Sequence, residues 1–482
     1  MTSSFGITGY GGHVPRLRIP RAAIAAAHAW MAPSLRGLGK GRRAFACWDE
    51  DSVTLAVEAA RDALSTAPAD TVANVQLAST TFPYADLQHS TIVAAALNLR
   101  RDIRTLDIGH SQRAGVAGLL AALRSRDTGT LYIASDTPRG KPGSVQEISS
   151  GAGAAAFLLG NGPVIAELAG SASLSALFVD HFRASDAAYD YVWEERWVRD
   201  EGYLKLVPQA VRQALDDAGL DAAAVDSFIL GSPLKGVAAA VAKSLGIAAD
   251  KVADALDAEL GYCGTAHPLV QLARQLETAV PGQIIVVAGF GQGCDAIVLR
   301  VTEAIAAVRP LRGISGALAD GIEQPEYLRF LSYADGIELE WGMRAEKNAK
   351  TALTEQYRSA SSVMGFVAGR SADGTVQFPQ LPYSVVPGKP DPRSTFEQVP
   401  LADEPAKVLT ITADWLTYHP APPLYVGFVQ FDNGARLLME TVDVGPSGVD
   451  VGTPLRMVFR IKEQDKVRGY ARYFWKATPI SP

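Results

Sequence analysis

The segment Ala56–Thr80, AVEAARDALSTAPADTVANVQLAST, recurs in altered form as Val207–Ser232, VPQAVRQALDDAGLDAAAVDSFILGS. Each copy has an Ala/Leu helix with an apolar face, an acidic turn, and a short alternating strand ending in Ser or Thr. A second pair follows in the same order. GHSQRAGVAGLLAALRS (Gly109–Ser125), leading to GTLYIASDTP (Gly129–Pro138), is matched by GYCGTAHPLVQLARQLET (Gly261–Thr278), leading to GQIIVVAGFG (Gly282–Gly291). This doubled order of helix, strand, turn, helix and strand predicts an α/β body of two similar halves, residues 1–163 and 164–302. Mixed sheets covered by helices are the expected architecture.

A length of 482 residues allows two or three domains. Apolar residues make up 48% and charged residues 20%, the composition of a globular chain with a large core. The net charge is −6 and no Lys/Arg run occurs, which argues against nucleic acid or an anionic membrane as partner. Cys47, Cys263 and Cys294 form no CxxC pair, so neither a zinc cage nor a disulfide framework is expected. No apolar run approaches the roughly 18 residues of a membrane span, and MTSSFGITGYGG is not laid out as a signal peptide. A cytoplasmic location is expected on that basis.

Beyond Thr302 the pattern changes. Residues 303–353, including EQPEYLRFLSYADGIELEW, predict a helical linker. Residues 354–482 read as strands and turns: VMGFVAGRSADGTVQF, AKVLTITADWLTYH, LYVGFVQFDNGARLLMETV, LRMVFRIKEQ and GYARYFWKATPI. Asp432-Asn433-Gly434 between alternating apolar runs is a hairpin signal, and the set predicts a small antiparallel β-barrel.

Taken together, YGGHVPRLRI, DEDSVTLAVEAARDAL, AGAAAFLLG, PLVQLARQLE and PGQIIVVAGFGQGCDA resemble the hydroxymethylglutaryl-CoA synthase branch of the thiolase superfamily, especially its archaeal form. The likeness spans roughly residues 5–302. It implies a duplicated thiolase-like αβαβα fold acting on a coenzyme A thioester, with no permanently bound cofactor. The tail is similar to the acyl-CoA-associated OB-fold proteins that accompany such enzymes. There a zinc ribbon usually precedes the barrel, but GFVAGRSADGTVQFPQLPYSVVPG (Gly365–Gly388) contains no cysteine, so no metal is expected. The resemblance further implies a homodimer built on a sheet edge. A thiolase-like, acyl-CoA dehydrogenase or hydratase protein is a second expected partner.

The family's chemistry uses a Cys thiolate at a helix N-terminus together with Glu, His and Asn. The resemblance sets these positions at Gln112 in SQRAGV, Thr80 in LASTTFP, Gly231 in GSPLKG and Tyr262 in GYCGTAHP. Gln112 cannot form a thioester and Gly231 cannot move a proton, so the usual synthase route is not expected. Tyr262 is a phenol with an ordinary pKa of about 10, an acid/base candidate where the family has Asn. Beside it stand Cys263 and His267. Their four-residue spacing suits one helix face, but His267 precedes Pro268 and is expected just outside the helix, so no Cys–His dyad is assumed. Gln112 and the Gly291 backbone N–H in GFGQGC are the expected oxyanion or enolate donors, and Arg196 and Lys235 the expected coenzyme A contacts. His110 is near enough to Gln112 to reach the site; His181, His89, His419, His13 and His28 carry no partner pattern.

One reading joins these residues: aldol or retro-aldol chemistry on a β-hydroxyacyl-CoA without an acyl-enzyme. It resembles the Cys-less steroid side-chain aldolases of the superfamily, which also depend on an OB-fold partner. Two alternatives stay open. One is a non-catalytic acyl-CoA-binding subunit or scaffold; the other is a decarboxylase using Gln112, a use that in related domains relies on neighbouring histidines.

Overall fold

The computed structural model describes residues 4–346 and 349–480. Two compact units emerge. The first comprises Met1–Ala46, Asp51–Thr91 and Arg100–Gly336; the second comprises Cys47–Glu50, Ile92–Leu99 and Ile337–Pro482.

The first unit is organised by a nine-stranded mixed sheet. Its strands are β1 (Gly6–His13), β2 (Asn74–Ala78), β3 (Arg104–Ile108), β4 (Thr130–Asp136), β5 (Gly153–Gly160), β6 (Ala166–Ser175), β7 (Ser227–Leu230), β8 (Ile284–Phe290) and β9 (Gly293–Val301). The order is β7-β8-β9-β6-β1-β5-β4-β2-β3, and the halves meet where β1 pairs antiparallel with β6 at Gly6↔Glu167 and Ile7↔Ala166. Read outward from that seam, β1-β5-β4-β2 and β6-β9-β8-β7 repeat the same sequence of antiparallel, antiparallel and parallel pairings. The duplication seen in the sequence is thus a duplication of topology. The second half's counterpart of β3 is reduced to one parallel bridge, Phe228↔Val252.

Among the described residues six α-helices have eight or more residues: α1 (Ser52–Leu64), α2 (His89–Ala96), α3 (Ala114–Ser125), α4 (Leu204–Ala218), α5 (Val237–Leu245) and α6 (His267–Leu276). Helix α1 starts where it does because Asp51 accepts from the Val53 and Thr54 amides while the Thr54 hydroxyl accepts from the Asp51 amide, a capping box. Helices α3 and α6 each pack on strands of both halves, α3 on β4, β8 and β9, α6 on β1, β5, β7 and β8. They form the central layer. Strand β8 shows why its run of apolar residues has no polar face: Ile285 and Val287 join the cluster around α3 and α6, while Ile284, Val286 and Ala288 join a separate cluster with α4 and α5. Helix α1 packs over β1, β5 and β4. The result is helix, sheet, helix, sheet, helix, the layering the resemblance implied.

The segment expected to link the two parts divides between them. Ile305, Ile314 and Ala317 lie in the first unit's core, and the C-terminal part of the second unit begins at Ile337.

The second unit holds β10 (Ala406–Val408), β11 (Leu424–Phe431), β12 (Arg436–Glu440), β13 (Pro454–Asp465) and β14 (Tyr470–Pro479). They pair antiparallel in the order β12-β11-β10-β13-β14. A single parallel bridge, Thr441↔Ala477, connects the two ends of that order. Trp475, Phe459, Tyr473, Phe366 and Phe431 are buried within it, and the Trp475 indole donates to the Met364 carbonyl at 2.7 Å. The unit also buries charge. Arg460 lies 2.7 Å from Glu50, 2.6 Å from Asp443 and 3.5 Å from Asp49, and Lys476 bridges Asp49 at 2.9 Å and Glu440 at 3.0 Å. Burial raises the Asp49 pKa, but Lys476 and Arg460 outweigh that and hold it below its usual value. Among the described residues, no helix is long and apolar enough to cross a membrane.

Gly115, in the first turn of α3, has a steric reason to be glycine. A β-carbon there would lie 2.3 Å from the Thr265 carbonyl oxygen, while the Gly115 amide donates to the Thr265 hydroxyl at 2.7 Å. Alanine gains about 1 kcal/mol over glycine in a helix, but displacing backbone in a packed core costs about 1–3 kcal/mol. Gly115→Ala therefore lowers the melting temperature in differential scanning calorimetry, against the helix-propensity trend.

Candidate active site

The head of α3 is the centre of the site. Strand β3 ends at Ile108, the chain turns through His110 at φ 69°, and Gln112 stands two residues before the helix. Its side chain is held at both ends. Nε2 lies 3.2 Å from Nε2 of His181, and Oε1 accepts a long hydrogen bond, 3.5 Å, from the Tyr262 hydroxyl. The loop after β8 closes on the same turn. Gly291 has φ 154°, and a β-carbon there would lie 3.0 Å from the Ser111 hydroxyl and 3.2 Å from the Gln112 amide nitrogen. Only glycine lets the loop come this near. However, the Gly291 N–H donates to the Gly293 carbonyl at 3.0 Å, and the Gly291 carbonyl accepts from Ser111. The Gly291 amide is therefore engaged within its own loop, which departs from the expectation that it points at a thioester.

Tyr262, Cys263 and His267 come together differently from the sequence expectation. His267 is the first residue of α6, with helical φ −58° and ψ −47°, because the 3₁₀ turn Gly264–Ala266 has already wound the chain ahead of Pro268. Its Nδ1 lies 3.4 Å from the Cys263 sulfur and 3.4 Å from the Cys263 amide nitrogen, so the contact that Pro268 was expected to prevent does form. It is a contact between neutral groups. Burial lowers the His267 pKa to about 4, and burial together with the Asp136 charge pushes the Cys263 thiol well up. Burial, with the nearby Tyr203 and Asp180, likewise raises the Tyr262 phenol well above its ordinary value. Tyr262 is thus a hydrogen-bond donor rather than a base. Cys294 on β9 is buried and its thiol is also pushed up.

The other expected positions are equally defined. Gly231 follows β7, and a β-carbon there would meet the Pro268 ring at 2.9 Å and the His267 ring at 3.3 Å. The imidazole of His267 fills the space that a side chain at 231 would need. Thr80 belongs to a web around Asp136, the last residue of β4. That buried carboxylate accepts from the Ser79 hydroxyl (2.9 Å), the Thr80 amide (2.8 Å) and hydroxyl (2.7 Å), the Thr81 hydroxyl (2.8 Å) and the Thr265 amide (2.9 Å). Burial raises its pKa while these donors oppose the shift. Arg196 is exposed, 3.6 Å from Asp200, and Lys235 is exposed in the turn between β7 and α5.

Two groups escaped the sequence reading. His181 opens the short strand His181–Phe182, which pairs with Tyr191–Val192, and its Nδ1 lies 2.7 Å from Asp180. The adjacent Asp-His of VDHFR was the signal, but only the hairpin brings it to Gln112. Asp136 gave no signal beyond ending a strand. Among the described residues no group of three or more His, Cys, Asp or Glu side chains is placed to hold a metal ion.

The comparisons agree with this architecture. Residues 215–301 match the family described as 3-oxoacyl-[acyl-carrier-protein] synthase III C terminal. The hydroxymethylglutaryl-CoA synthase of Aeropyrum pernix is 32% identical over 328 residues, covering 64% of this chain and 88% of the relative. That of Methanopyrus kandleri is 30% identical, covering 68% and 96%. Among solved structures, MvaS in complex with 3-hydroxy-3-methylglutaryl coenzyme A has a TM-score of 0.59 at 20% identity, covering 70% of this chain and 93% of that one. The 3-oxoacyl-(acyl carrier protein) synthase III of Pseudomonas aeruginosa has a TM-score of 0.55 at 23% identity, covering 62% and 98%. At these identities the two solved structures bear on the fold alone.

All three cysteines are buried, and burial holds each thiol pKa up. Iodoacetamide at pH 8 is expected to leave the folded chain unlabelled and to modify every thiol after denaturation. Rapid native labelling of Cys263, read by peptide mass spectrometry, would make it a reactive nucleophile after all.

Proposed function

Because the chain belongs to the hydroxymethylglutaryl-CoA synthase family of the thiolase superfamily, we propose that it acts on an acyl-CoA thioester and makes or breaks a carbon–carbon bond of aldol type without forming an acyl-enzyme. The relatives are hydroxymethylglutaryl-CoA synthases, and one solved neighbour holds 3-hydroxy-3-methylglutaryl coenzyme A. Carried to this chain, those names support a coenzyme A ester as substrate. The observation that carries the reading is Gln112 at the head of α3, fixed between His181 and Tyr262. An amide there binds but does not attack. The neutral phenol of Tyr262 and the main-chain N–H of Gln112, just ahead of α3, suit the oxygen of a thioester enolate, the charge that develops when the Cα–Cβ bond of a β-hydroxyacyl group breaks. Arg196 and Lys235 remain the proposed contacts for coenzyme A phosphates.

His181 beside Gln112 also favours a second reading, decarboxylation of a malonyl-type thioester, since it supplies the histidine neighbour that reading requires. For the second unit we propose an OB-fold. The ring order β12-β11-β10-β13-β14, with its one parallel contact between β12's end and β14, supports that assignment.

The test is a panel of β-hydroxyacyl-, β-ketoacyl- and malonyl-CoA esters, followed for release of a shorter acyl-CoA with an aldehyde or ketone, or of carbon dioxide. On the best substrate, Tyr262→Phe and Gln112→Ala are each expected to lower kcat by about 10²–10³ while KM changes little. Gln112→Cys is expected to yield no synthase activity, because Thr80, Gly231 and Tyr262 still stand where the family has its Glu, His and Asn. Full activity in both single variants would remove the reading. Binding of esters without turnover would leave a non-catalytic subunit.

Strand β3 is the free edge of the first half, and Leu106 on it is 50% exposed. An open ladder of this kind supports pairing with a second copy. Light scattering at micromolar concentration is expected to give a dimer mass, and a monomer would exclude it.

A further inference from the structure

Cleaving a β-hydroxyacyl ester requires a group that takes the hydroxyl proton, and most polar side chains around Gln112 are unable to do so. Tyr262 is held in its protonated form by burial. Cys263 is a buried thiol, and the His267 ring is enclosed against Cys263 with its pKa lowered to about 4. Asp136 is ringed by hydroxyl and amide donors from three segments. One group remains.

We propose that His181 is the catalytic base of this site, and that Asp180 is its positioning residue. The proposal rests on the aldol reading above and names the proton carrier that reading lacks. The geometry is specific. Asp180 accepts from Nδ1 at 2.7 Å, so Nδ1 carries the ring proton and the Nε2 lone pair is turned toward the Gln112 amide at 3.2 Å. The ring's position is fixed by the hairpin His181–Phe182/Tyr191–Val192. Arg183, the next inward residue, donates to the Thr80 carbonyl and lies 2.8 Å from Asp190, which ties the hairpin to the loop after β2. The His181 side chain stays 20% exposed.

The step balances without a co-reactant. Nε2 takes the β-hydroxyl proton, the oxygen's electron pair becomes the new carbonyl bond, and the Cα–Cβ pair moves into a thioester enolate. Tyr262 and the Gln112 main-chain N–H hold the enolate oxygen. The imidazolium then returns its proton to Cα, which releases the shortened acyl-CoA and the carbonyl product. In the condensing direction the same proton travels the other way.

The charged groups facing His181 are Asp180, Asp190 and Arg183. Burial lowers its pKa, but the bond to Asp180 and the charges of Asp180 and Asp190 outweigh burial and Arg183, leaving it above the ordinary histidine value. A base must be unprotonated, so kcat/KM is expected to fall on the acidic side with a limb above that ordinary value. Removing the Asp180 charge lowers the histidine pKa and moves the limb to lower pH.

The experiment takes the full chain and the substrate that the ester panel identifies, and compares wild type with His181→Ala, His181→Gln and Asp180→Asn, each checked by circular dichroism. Both His181 variants are expected to lose about 10²–10⁴ in kcat with KM within about threefold. Free imidazole is expected to restore part of the His181→Ala rate, and Asp180→Asn to shift the acidic limb downward. Retained kcat in folded His181→Gln, or an unchanged acidic limb in Asp180→Asn, overturns the proposal while the aldol reading stands. Wild-type chain that cleaves no β-hydroxyacyl ester overturns both.

Discussion

The buried carboxylate of Asp136 is the fixed point around which the site is assembled. It ends a strand of the first half and accepts from Ser79, Thr80 and Thr81 of that half and from the Thr265 amide of the second. A carboxylate out of water is costly unless donors surround it. Meeting that need draws the loop after β2, the end of β4 and the turn before α6 to one point. The Thr265 hydroxyl, anchored beside the carboxylate, then accepts from the Gly115 amide and sets the depth of α3. Gln112, two residues ahead of the helix, inherits its position from this arrangement.

Electrostatics then sorts the polar side chains near Gln112 by burial and partner. His267, Cys263 and Tyr262 lose their charged forms because desolvation dominates: the Asp257 charge does not offset it at His267, and the nearby Asp136 and Asp180 charges add to it at Cys263 and Tyr262. His181 differs because Asp180 is within hydrogen-bond reach, and an adjacent carboxylate favours the charged ring. A site of neutral donors with one titrating histidine suits an enolate that is stabilised by hydrogen bonds. It does not suit a thiolate nucleophile, which needs an opposing cation or an exposed helix end. The charges in the second unit follow the same rule. Arg460 and Lys476 are buried only because Asp49, Glu50, Asp443 and Glu440 meet them, and the loss of one partner of such a set typically costs about 3–5 kcal/mol.

The duplicated patterns at Ala56–Thr80 and Val207–Ser232 determined the α/β class and the two halves, because the order and length of helical and apolar strand segments are local properties of the chain. The sequence alone also located Gln112 and Tyr262 as the pair to examine. It did not determine that His267 begins α6, since a preceding 3₁₀ turn outweighed the local bias against helix before proline. Nor did it determine that Gly291 binds within its own loop, that Asp49 and Glu50 belong to the second unit, or that Asp180 and His181 face Gln112. The last two depend on contacts between residues tens to hundreds of positions apart, and protonation states follow from burial that no local pattern records. The tertiary structure alone set the burial and the hydrogen-bond partners of the site's polar residues.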